Sequence, residues 1–351
     1  AMSEGRNLVG VDIGSSSIKV CEIREGRKGA RSLSRFAYHP LPPQSIVDGH
    51  IMNTGAVVEG LEKLFHRQRR RDVALRISGH SVIIKKVTMP LMTAEELREQ
   101  ISWEAEQHIP FDVADVELDY QVLRRREEEG QMDVLLVAAK KEEIQDLMNL
   151  ALEARLKPKV IDLDAFTVQN CFEAGYGAPE RGNTTVLLHV GASLTTINIV
   201  ADGSTAFTRD IANGGNAITE EIQRQLSIGQ DEAEAYKCGS GGGIVPHEVS
   251  RIMQQVVESL AGEIQRSLDF YLATSGDREI ARVVLSGGAA RMASLRDAIS
   301  TRSRAQVDVI DPLRAAGLDA KSIGALDLEQ HGPAAAVAFG LALRKDRERN
   351  S

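Results

Sequence analysis

The sequence predicts an α/β fold with two similar domains and a smaller inserted subdomain, and three observations support this prediction. Residues 9–20 and 187–199 share one pattern: an apolar strand, a tight turn with glycine and small hydroxylated residues, and a second strand. Residues 283–288 form a buried-type strand that ends in two glycines. A block of different texture, at 81–154, lies between the matching segments. Matching strand–turn–strand segments half a chain apart indicate two domains of similar fold.

The spacing of the two matching segments is constant. Gly14 aligns with Gly191, and Ser16 aligns with Ser193, at the same offset of 177 residues. Short motifs of this kind often match by chance when they occur singly. A repeated motif at one fixed offset therefore carries more weight than either copy alone.

Length and composition agree with a two-domain globular protein. At roughly 150 residues per domain, a chain of 351 residues holds about two domains. The net charge of −8 and the 4% aromatic content argue against a dedicated nucleic-acid binder. No run approaches the ~18 to 20 apolar residues of a membrane span, and the first residues lack the apolar segment of a signal peptide. The three cysteines have no CxxC spacing, so neither a disulfide framework nor a zinc site is encoded, and we expect a cytoplasmic protein.

The expected domain boundaries follow from these patterns. The first domain is predicted to comprise residues 1–80 and 155–185, and the inserted subdomain residues 81–154. The second domain is predicted to comprise residues 186–351. Its C-terminal helix, at about 332–344, is rich in small residues and is expected to pack back on the first domain.

The inserted block is predicted to have the order βαββα. A strand opens it, and Thr93 with Glu96 forms a capping box that predicts the start of a helix. Two strands then flank a charged tip, Arg124 to Gly130, which is expected to be a solvated turn. A helix at 142–154 completes the block.

Helices dominate the chain after the second hairpin. Segments 214–226 and 231–237 have helical patterns, and 248–273 has a sustained apolar stripe with a period of 3.6 residues. A stripe of this kind indicates a helix that packs on the core. It does not indicate a cofactor site.

The first hairpin carries the groups that a magnesium-bound polyphosphate requires. Successive backbone N–H groups in a tight turn form an anion-binding concavity, Lys19 supplies positive charge, and Asp12 can hold a magnesium-bound water. A β-branched residue in place of Gly14 is expected to enter the phosphate space and to resist a positive φ. If only one such loop were present, an ordinary hairpin turn without a bound phosphate would be the alternative interpretation. The second copy and the loop after residue 286 favour a phosphate held between two domains.

These loops resemble the nucleotide site of the actin-like ATPase superfamily, and the whole chain is similar to its PilM family of type IV pilus assembly proteins. The resemblance implies an actin-like ATPase fold: two RNase H-like domains around a nucleotide cleft that binds ATP and Mg²⁺. The two phosphate loops correspond to 12–19 and 189–196. The two connecting helices correspond to the segment after 160–165 and to 332–340, and the adenosine element corresponds to 286–291.

The resemblance also implies roles for individual residues. Asp12 would hold the metal through water. Asp162 or Asp164, of which Asp162 is preferred, would position an attacking water, although acidic residues favoured at a helix start are an equally good explanation of both. Glu234 and Lys237 match a pair placed against the nucleoside. The implied cofactor-binding residues are Asp12, Gly14, Ser15, Ser16, Ser17, Lys19, Gly191, Ala192, Ser193, Thr195, Gly214, Gly215, Glu234, Lys237, Gly287, Gly288 and Arg291.

One residue departs from the superfamily pattern. The second phosphate loop usually begins with an aspartate, and this chain has His189 there. A neutral imidazole cannot balance the charge of Mg²⁺. We therefore expect slow or absent ATP hydrolysis. His189 itself is expected either to be satisfied by hydrogen bonds within its strand or to contact a phosphate.

The inserted block carries the phrases that distinguish the PilM family. These are Thr93 to Leu97, Trp103 to Glu106, and Ile109 to Phe111. The resemblance implies a partner, the N-terminal cytoplasmic peptide of a bitopic inner-membrane protein (PilN in that family), bound between the block and the first domain. It also implies a link to the pilus motor ATPases and a location at the inner membrane through that partner, without direct insertion. Trp103 is expected to be either core or an anchor for the peptide.

Two other functions remain open from the sequence. A sugar or acyl kinase of the same superfamily would need a catalytic aspartate facing a small-molecule pocket, and the sequence offers no clear candidate.

A filament former similar to FtsA also carries an inserted subdomain but typically adds a C-terminal amphipathic membrane helix. The tail at 344–349 has no apolar face, which argues against that function.

Overall fold

The structure is a computed structural model that describes residues 5–79, 81–239, 246–277, 279–317 and 331–346. Residues 347–349 of the polar tail considered above lie outside the described residues. Among the described residues, no helix is both long enough and apolar enough to cross a membrane.

Fifteen strands and nine α-helices are described in these ranges. The strands are β1 (Val9–Ile13), β2 (Ser17–Glu25), β3 (Arg31–Pro40), β4 (Ile46–Val47), β5 (His50–Ile51), β6 (Asp72–Ile77), β7 (Val82–Pro90), β8 (Val116–Arg126), β9 (Gln131–Lys140), β10 (Lys157–Leu163), β11 (Thr184–Val190), β12 (Thr195–Ala201), β13 (Ser204–Ile211), β14 (Arg282–Ser286) and β15 (Gln306–Val309). The helices are α1 (Thr54–Leu64), α2 (Ala94–Glu106), α3 (Lys141–Glu153), α4 (Asp164–Tyr176), α5 (Gly215–Leu226), α6 (Gln230–Lys237), α7 (His247–Ser275), α8 (Ala293–Ser303) and α9 (Ala336–Ala342).

Two five-stranded sheets of the same topology form the two halves of the protein. The first has the order β10-β6-β1-β2-β3, and the second has the order β15-β14-β11-β12-β13. In each sheet a three-stranded antiparallel meander is extended by two parallel strands. The central strands, β1 and β11, are buried along their whole length, as expected for sheets that are covered on both faces. The two predicted hairpins are the central strand pairs of these sheets.

The inserted block forms a third sheet, with the order β7-β9-β8. Helix α2 covers one face and buries Leu97, Ile101 and Ala105 against it. The capping box between Thr93 and Glu96 is present, because each residue's side chain accepts a hydrogen bond from the other's backbone N–H. This reciprocal cap fixes where α2 begins.

Two features of the block differ from the simplest expectation. Trp103 is 61% exposed, so it is a surface residue and not part of the core. Helix α3 packs its buried residues, Leu147, Leu150 and Ala151, into the core under the first sheet. The apolar face of α3 therefore joins that helix to the first sheet, although it follows the block's last strand directly.

The second half is built around the long helix α7, whose apolar stripe is buried against the second sheet. Helix α9 follows the second half in the sequence but packs against β1 and α4 of the first half. The predicted helix at 332–344 begins as a 3-10 turn at Gly332–Ala335 before the α-helical part. Its small side chains allow the close approach to β1.

Candidate nucleotide site

The turns of the two hairpins have the same geometry and meet each other. In the first, the N–H of Gly14 donates to the carbonyl oxygen of Ser17 at 2.9 Å; in the second, the N–H of Gly191 donates to that of Leu194 at 2.9 Å. The hydroxyl of Ser193 donates to the hydroxyl of Ser15 at 2.9 Å. The structure thus brings the two predicted phosphate loops face to face.

Gly14 differs from expectation in its backbone. It is not among the residues with positive φ, so the predicted conformational reason for a glycine is wrong. A Cβ at this position would instead lie 3.2 Å from the carbonyl oxygen of Ser17, tighter than an ordinary contact. The requirement for glycine here comes from the narrow turn.

The backbone N–H groups at the two turns point to anion binding. Among the described residues, no acceptor is found for the N–H groups of Ser15, Ser16, Ala192 or Ser193. Consecutive N–H groups in a turn form a site for an anion such as phosphate. The buried Lys19 lies beside the first turn. These groups could hold phosphate oxygens between the two halves.

The segment before α5 is fixed against the second loop. The N–H groups of Gly215 and Asn216 donate to the carbonyl oxygens of Gly191 and Ala192, at 2.9 and 2.8 Å. A Cβ on Gly214 would lie 2.4 Å from the Gly191 oxygen, so only glycine allows this approach. The Thr195 hydroxyl adds a hydrogen bond to the carbonyl oxygen of Asn213 at 2.8 Å.

Glu234 and Lys237 form an ion pair next to this segment. Lys237 Nζ lies 2.8 Å from Glu234 Oε2 and donates to the hydroxyl of Thr219 at 2.9 Å, and that hydroxyl donates to Glu234 at 2.6 Å. Burial would raise the pKa of Glu234, but hydrogen bonds from Lys237 and Thr219 lower it below its usual value. Lys237 also reaches the carbonyl oxygen of Gly215 at 3.4 Å. The pair therefore lies next to the start of α5, and its placement beside a nucleoside stays a prediction.

The third loop follows β14. Gly287 has a φ of 90°, and a Cβ on it would lie 2.1 Å from the carbonyl oxygen of Val190. A Cβ on the next residue, Gly288, would meet no described atom within 4 Å, so this residue borders open space. Arg291 is exposed, and its guanidinium lies close to Gly332. The loop is thus packed against the second loop on one side and open on the other.

Asp12 lies beneath the first loop and is paired with two cations. Lys19 Nζ lies 3.3 Å from its Oδ2, and Arg76 Nε lies 3.0 Å from its Oδ1. Burial would raise the pKa of Asp12, but the charges of Lys19 and Arg76 lower it, so the carboxylate is ionised. The described residues contain no group of three or more His, Cys, Asp or Glu side chains that could hold a metal ion. A site of this kind suits a magnesium ion that keeps most of its waters and is held mainly by phosphates.

His189 is buried and neutral. Its Nδ1 lies 2.9 Å from the hydroxyl of Ser286, a contact that joins β11 to β14. Burial lowers its pKa to about 4; Asp12 opposes this change, whereas Arg76 and Lys19 add to it. Of the two expectations for His189, the structure shows the hydrogen bond within the sheet.

The two acidic residues at the end of β10 face different surroundings. Asp162 accepts hydrogen bonds from Arg344 and from the backbone N–H of Leu163. Asp164, two residues on, lies 3.1 Å from Arg76 Nε and shares that guanidinium with Asp12. Of the two residues that the sequence offered for an attacking water, Asp164 is thus the one linked to Asp12 through Arg76, whereas the sequence analysis preferred Asp162.

Sequence reasoning missed Arg76 and the aromatic pair of Tyr38 and His331. Arg76 lies near the end of β6, the parallel neighbour of β1, and its charge interrupts the apolar residues that follow Asp72 in this strand. That charge at the end of a parallel strand was the available signal. The rings of Tyr38 and His331 stack with centroids 3.8 Å apart, and no local pattern connects two residues so distant in sequence.

Comparisons with known proteins agree with the duplicated fold. The solved PilM-PilN type IV pilus biogenesis complex is similar to this chain with a TM-score of 0.85 and 28% identity, covering 98% of this chain and 99% of that chain. MreB5 of Spiroplasma citri bound to AMPPNP has a TM-score of 0.53 and 13% identity, covering 96% and 95%, and shows the fold alone. The cell division protein FtsA of Agrobacterium fabrum is 26% identical over 180 residues, which span 44% of this chain and 39% of FtsA.

A sequence model for one family matches almost the whole chain. Its description is "Type IV pilus assembly protein PilM", and the match extends over residues 10–346. The match includes both phosphate loops, the inserted block and helix α9. This chain therefore belongs to the PilM family of type IV pilus assembly proteins and has the actin-like ATPase fold.

Proposed function

We propose that this protein is an ATP-binding adaptor of the type IV pilus machinery, which binds the N-terminal peptide of a PilN-like inner-membrane protein and links it to the motor ATPases. The observation that carries the nucleotide part is the hydrogen bond between Ser15 and Ser193. It joins two equivalent turns, one from each half, and this contact supports a role of both turns in holding phosphate. A ligand bound between them would touch both halves at once.

The residues present fit a nucleoside triphosphate. The N–H groups of the two turns and the cation of Lys19 would hold phosphate oxygens, and the open side of Gly288 leaves space beside the third loop. The pair of Glu234 and Lys237 would lie beside the nucleoside. Magnesium, when bound with ATP, would neutralise phosphate charge, and Asp12 would contact it through water.

We expect the bound nucleotide to act mainly as a structural ligand. The buried, neutral His189 occupies the position where the superfamily usually has a carboxylate, and it is already bonded to Ser286. Asp12 is neutralised by Lys19 and Arg76. Because these side chains leave so little free negative charge, the protein would bind magnesium weakly on the side of the second loop. ATP hydrolysis should therefore be slow or undetectable.

The partner part of the proposal is supported by the similarity to the PilM-PilN complex, which covers 98% of this chain. The inserted sheet has two edge strands, β7 and β8, and edges of this kind can accept an extended peptide. Ile77, Leu163 and the partly buried Val82 and Ile84 form an apolar cluster between the block and the first sheet. We place the peptide in the groove beside this cluster.

The test is a pulldown with N-terminal peptides of candidate inner-membrane proteins, with and without ATP and magnesium. The proposal expects capture of one such peptide by the full chain and saturable ATP binding. If the chain binds ATP but captures none of these peptides, the adaptor role is wrong and only the nucleotide-binding part of the proposal remains.

A further inference from the structure

Basic side chains are concentrated at one end of the first sheet. Strands β1, β6 and β10 are parallel and begin at this end, and the turn between β2 and β3 lies there as well. The turn at Gly14 and the inserted block follow the opposite ends of β1 and β6. We call this surface the basic end, and it is formed by residues 5–8, 24–31, 66–72, 153–157 and 344–346.

Contacts hold the segments of the basic end side by side. The backbone N–H of Lys157 donates to the carbonyl oxygen of the residue before β6 at 2.8 Å, and the guanidinium of Arg70 donates to the carbonyl oxygen of Asn7. Lys345 forms a β-bridge with Asn7, and its Nζ lies 2.7 Å from Oε2 of Glu25 at the end of β2. Five strand ends at their usual spacing make a row roughly 20 Å wide.

The acidic residues of this surface do not balance its cations. Within the five segments, eight exposed arginines and lysines face three exposed acids, Asp72, Glu153 and Asp346. The less exposed glutamates are already paired with two cations each, Glu22 with Arg35 and Arg70, and Glu25 with Arg31 and Lys345. The basic end is therefore positive, although the whole chain has a net charge of −8.

Three of the exposed cations occupy turn positions that favour glycine. Lys28, Arg67 and Arg155 have φ values of 63°, 59° and 60°. Residues other than glycine are uncommon in this left-handed region, because the side chain crowds the backbone there. Three turns at the same end of the sheet thus carry a basic side chain at a backbone cost. Costs of this kind are often associated with a function.

We propose that the basic end binds the anionic surface of a phospholipid membrane. Lysine and arginine side chains close to such a surface are attracted by the negative potential of its headgroups. A row of strand ends presents its charges side by side, which suits a broad surface of distributed negative charge. The choice of a membrane rests on the proposed function, which places this chain beside an inner-membrane partner.

The test is co-sedimentation of the full chain with phospholipid vesicles, without nucleotide or peptide. Vesicles of phosphatidylcholine are compared with vesicles that also contain about 30% phosphatidylglycerol, an anionic lipid. We expect binding only to the anionic vesicles, and a loss of at least about tenfold in affinity at about 0.5 M salt, because salt screens exposed charges. Absence of binding to the anionic vesicles at low salt, or equal binding to both kinds of vesicle, would overturn the inference.

A pair of double variants tests whether the basic end is the surface that binds. Arg67→Glu with Arg69→Glu should weaken vesicle binding at least about tenfold, because two attractive charges become repulsive. Arg98→Glu with Arg124→Glu is the matched control: it changes the net charge equally at exposed positions of the inserted block and should bind as the wild type does. Equal affinities of the two double variants would overturn the inference. If the first double variant does not fold, Arg27→Glu with Lys28→Glu makes the same comparison.

Two further results separate this inference from its alternatives. Tighter binding of a short DNA duplex than of anionic vesicles at the same salt concentration would identify a nucleic acid as the ligand and overturn the choice of a membrane. Capture of the partner peptide by a chain that does not bind vesicles would overturn this inference and leave the proposed function intact. Vesicle binding that is lost in Arg67→Glu with Arg69→Glu supports the inference even where no peptide is captured.

Discussion

The hydroxyl of Ser193 donates a hydrogen bond to the hydroxyl of Ser15 at 2.9 Å, across 178 residues of sequence. The two residues lie on turns that are closed by equivalent hydrogen bonds, each of 2.9 Å. The repeat seen in the sequence is thus also a contact in space. A phosphate bound between these turns would replace a direct bond between the halves, which is how a nucleotide could control their separation.

The third loop should be sensitive to a methyl group at one glycine and tolerant at the next. Gly287→Ala should lower the free energy of unfolding by about 2–4 kcal/mol, because the position has a positive φ and a Cβ would lie 2.1 Å from Val190 O. Gly288→Ala is the matched control and should change it by less than about 0.5 kcal/mol. Urea unfolding measures both. Equal stabilities of the two variants would show that the loop is not packed as described.

Asp164 should give the stability of the protein a pH dependence. Burial raises its pKa to about 7 in the folded protein, against 3.8 ordinarily, so the folded state binds the proton more tightly. Its stabilising contribution is complete below about pH 4 and is lost as the pH rises through 7. The wild type should therefore lose stability between about pH 5 and pH 7.5.

Asp164→Asn should reduce this loss, because an amide resembles the protonated carboxyl and does not titrate. Urea midpoints at the two pH values give the comparison. Asp146→Asn removes an exposed carboxylate and should keep the wild-type dependence. A slope that is the same in wild type and Asp164→Asn would mean that another group causes it.

ATP turnover by the wild type should be slow or undetectable. His189→Asp restores the carboxylate that the superfamily usually has and should raise the turnover rate. His189→Asn is the control, since a neutral amide can still bond to Ser286 and should not raise it. Phosphate release under saturating ATP measures all three. Brisk wild-type turnover, or an unchanged rate in His189→Asp with binding intact, would refute the argument from the missing metal ligand.

The partner peptide should bind through apolar contacts at the inserted block. Ile84→Ser, in the apolar cluster beside the groove, should weaken peptide binding by about 1–3 kcal/mol. Glu127→Lys, at the exposed tip of the block, should have little effect. Affinity should change little between low and high salt, because apolar burial is not screened. Full peptide affinity in a folded variant that lacks the block would place the partner site elsewhere.

Local patterns made much of the fold predictable. The hairpins and the capping box of α2 depend on residues within a few positions of each other, so turn and capping chemistry revealed them. The packing of α3 was not predictable in this way, because its amphipathic pattern shows that one face is buried but not which sheet covers it.

The site was predictable only where it is built from loops. The repeated turns contain the residues that meet across the cleft, whereas Arg76 reaches Asp12 from 64 residues away. The distinction between Asp162 and Asp164 depends on the end of β10 and the start of α4, where the chain changes from strand to helix. A pattern alone does not fix a boundary within two residues.

The cleft assignment is the central claim, and calorimetry of ATP with magnesium on the full chain tests it most directly. We expect one ATP per chain and a loss of at least about tenfold in affinity for Gly14→Val and for Gly191→Val, because both turns leave little space for a side chain. Gly26→Ala, where a Cβ would make only an ordinary contact, should bind as the wild type does. Absence of ATP binding by the folded wild type, or full affinity in both turn variants, would contradict the claim.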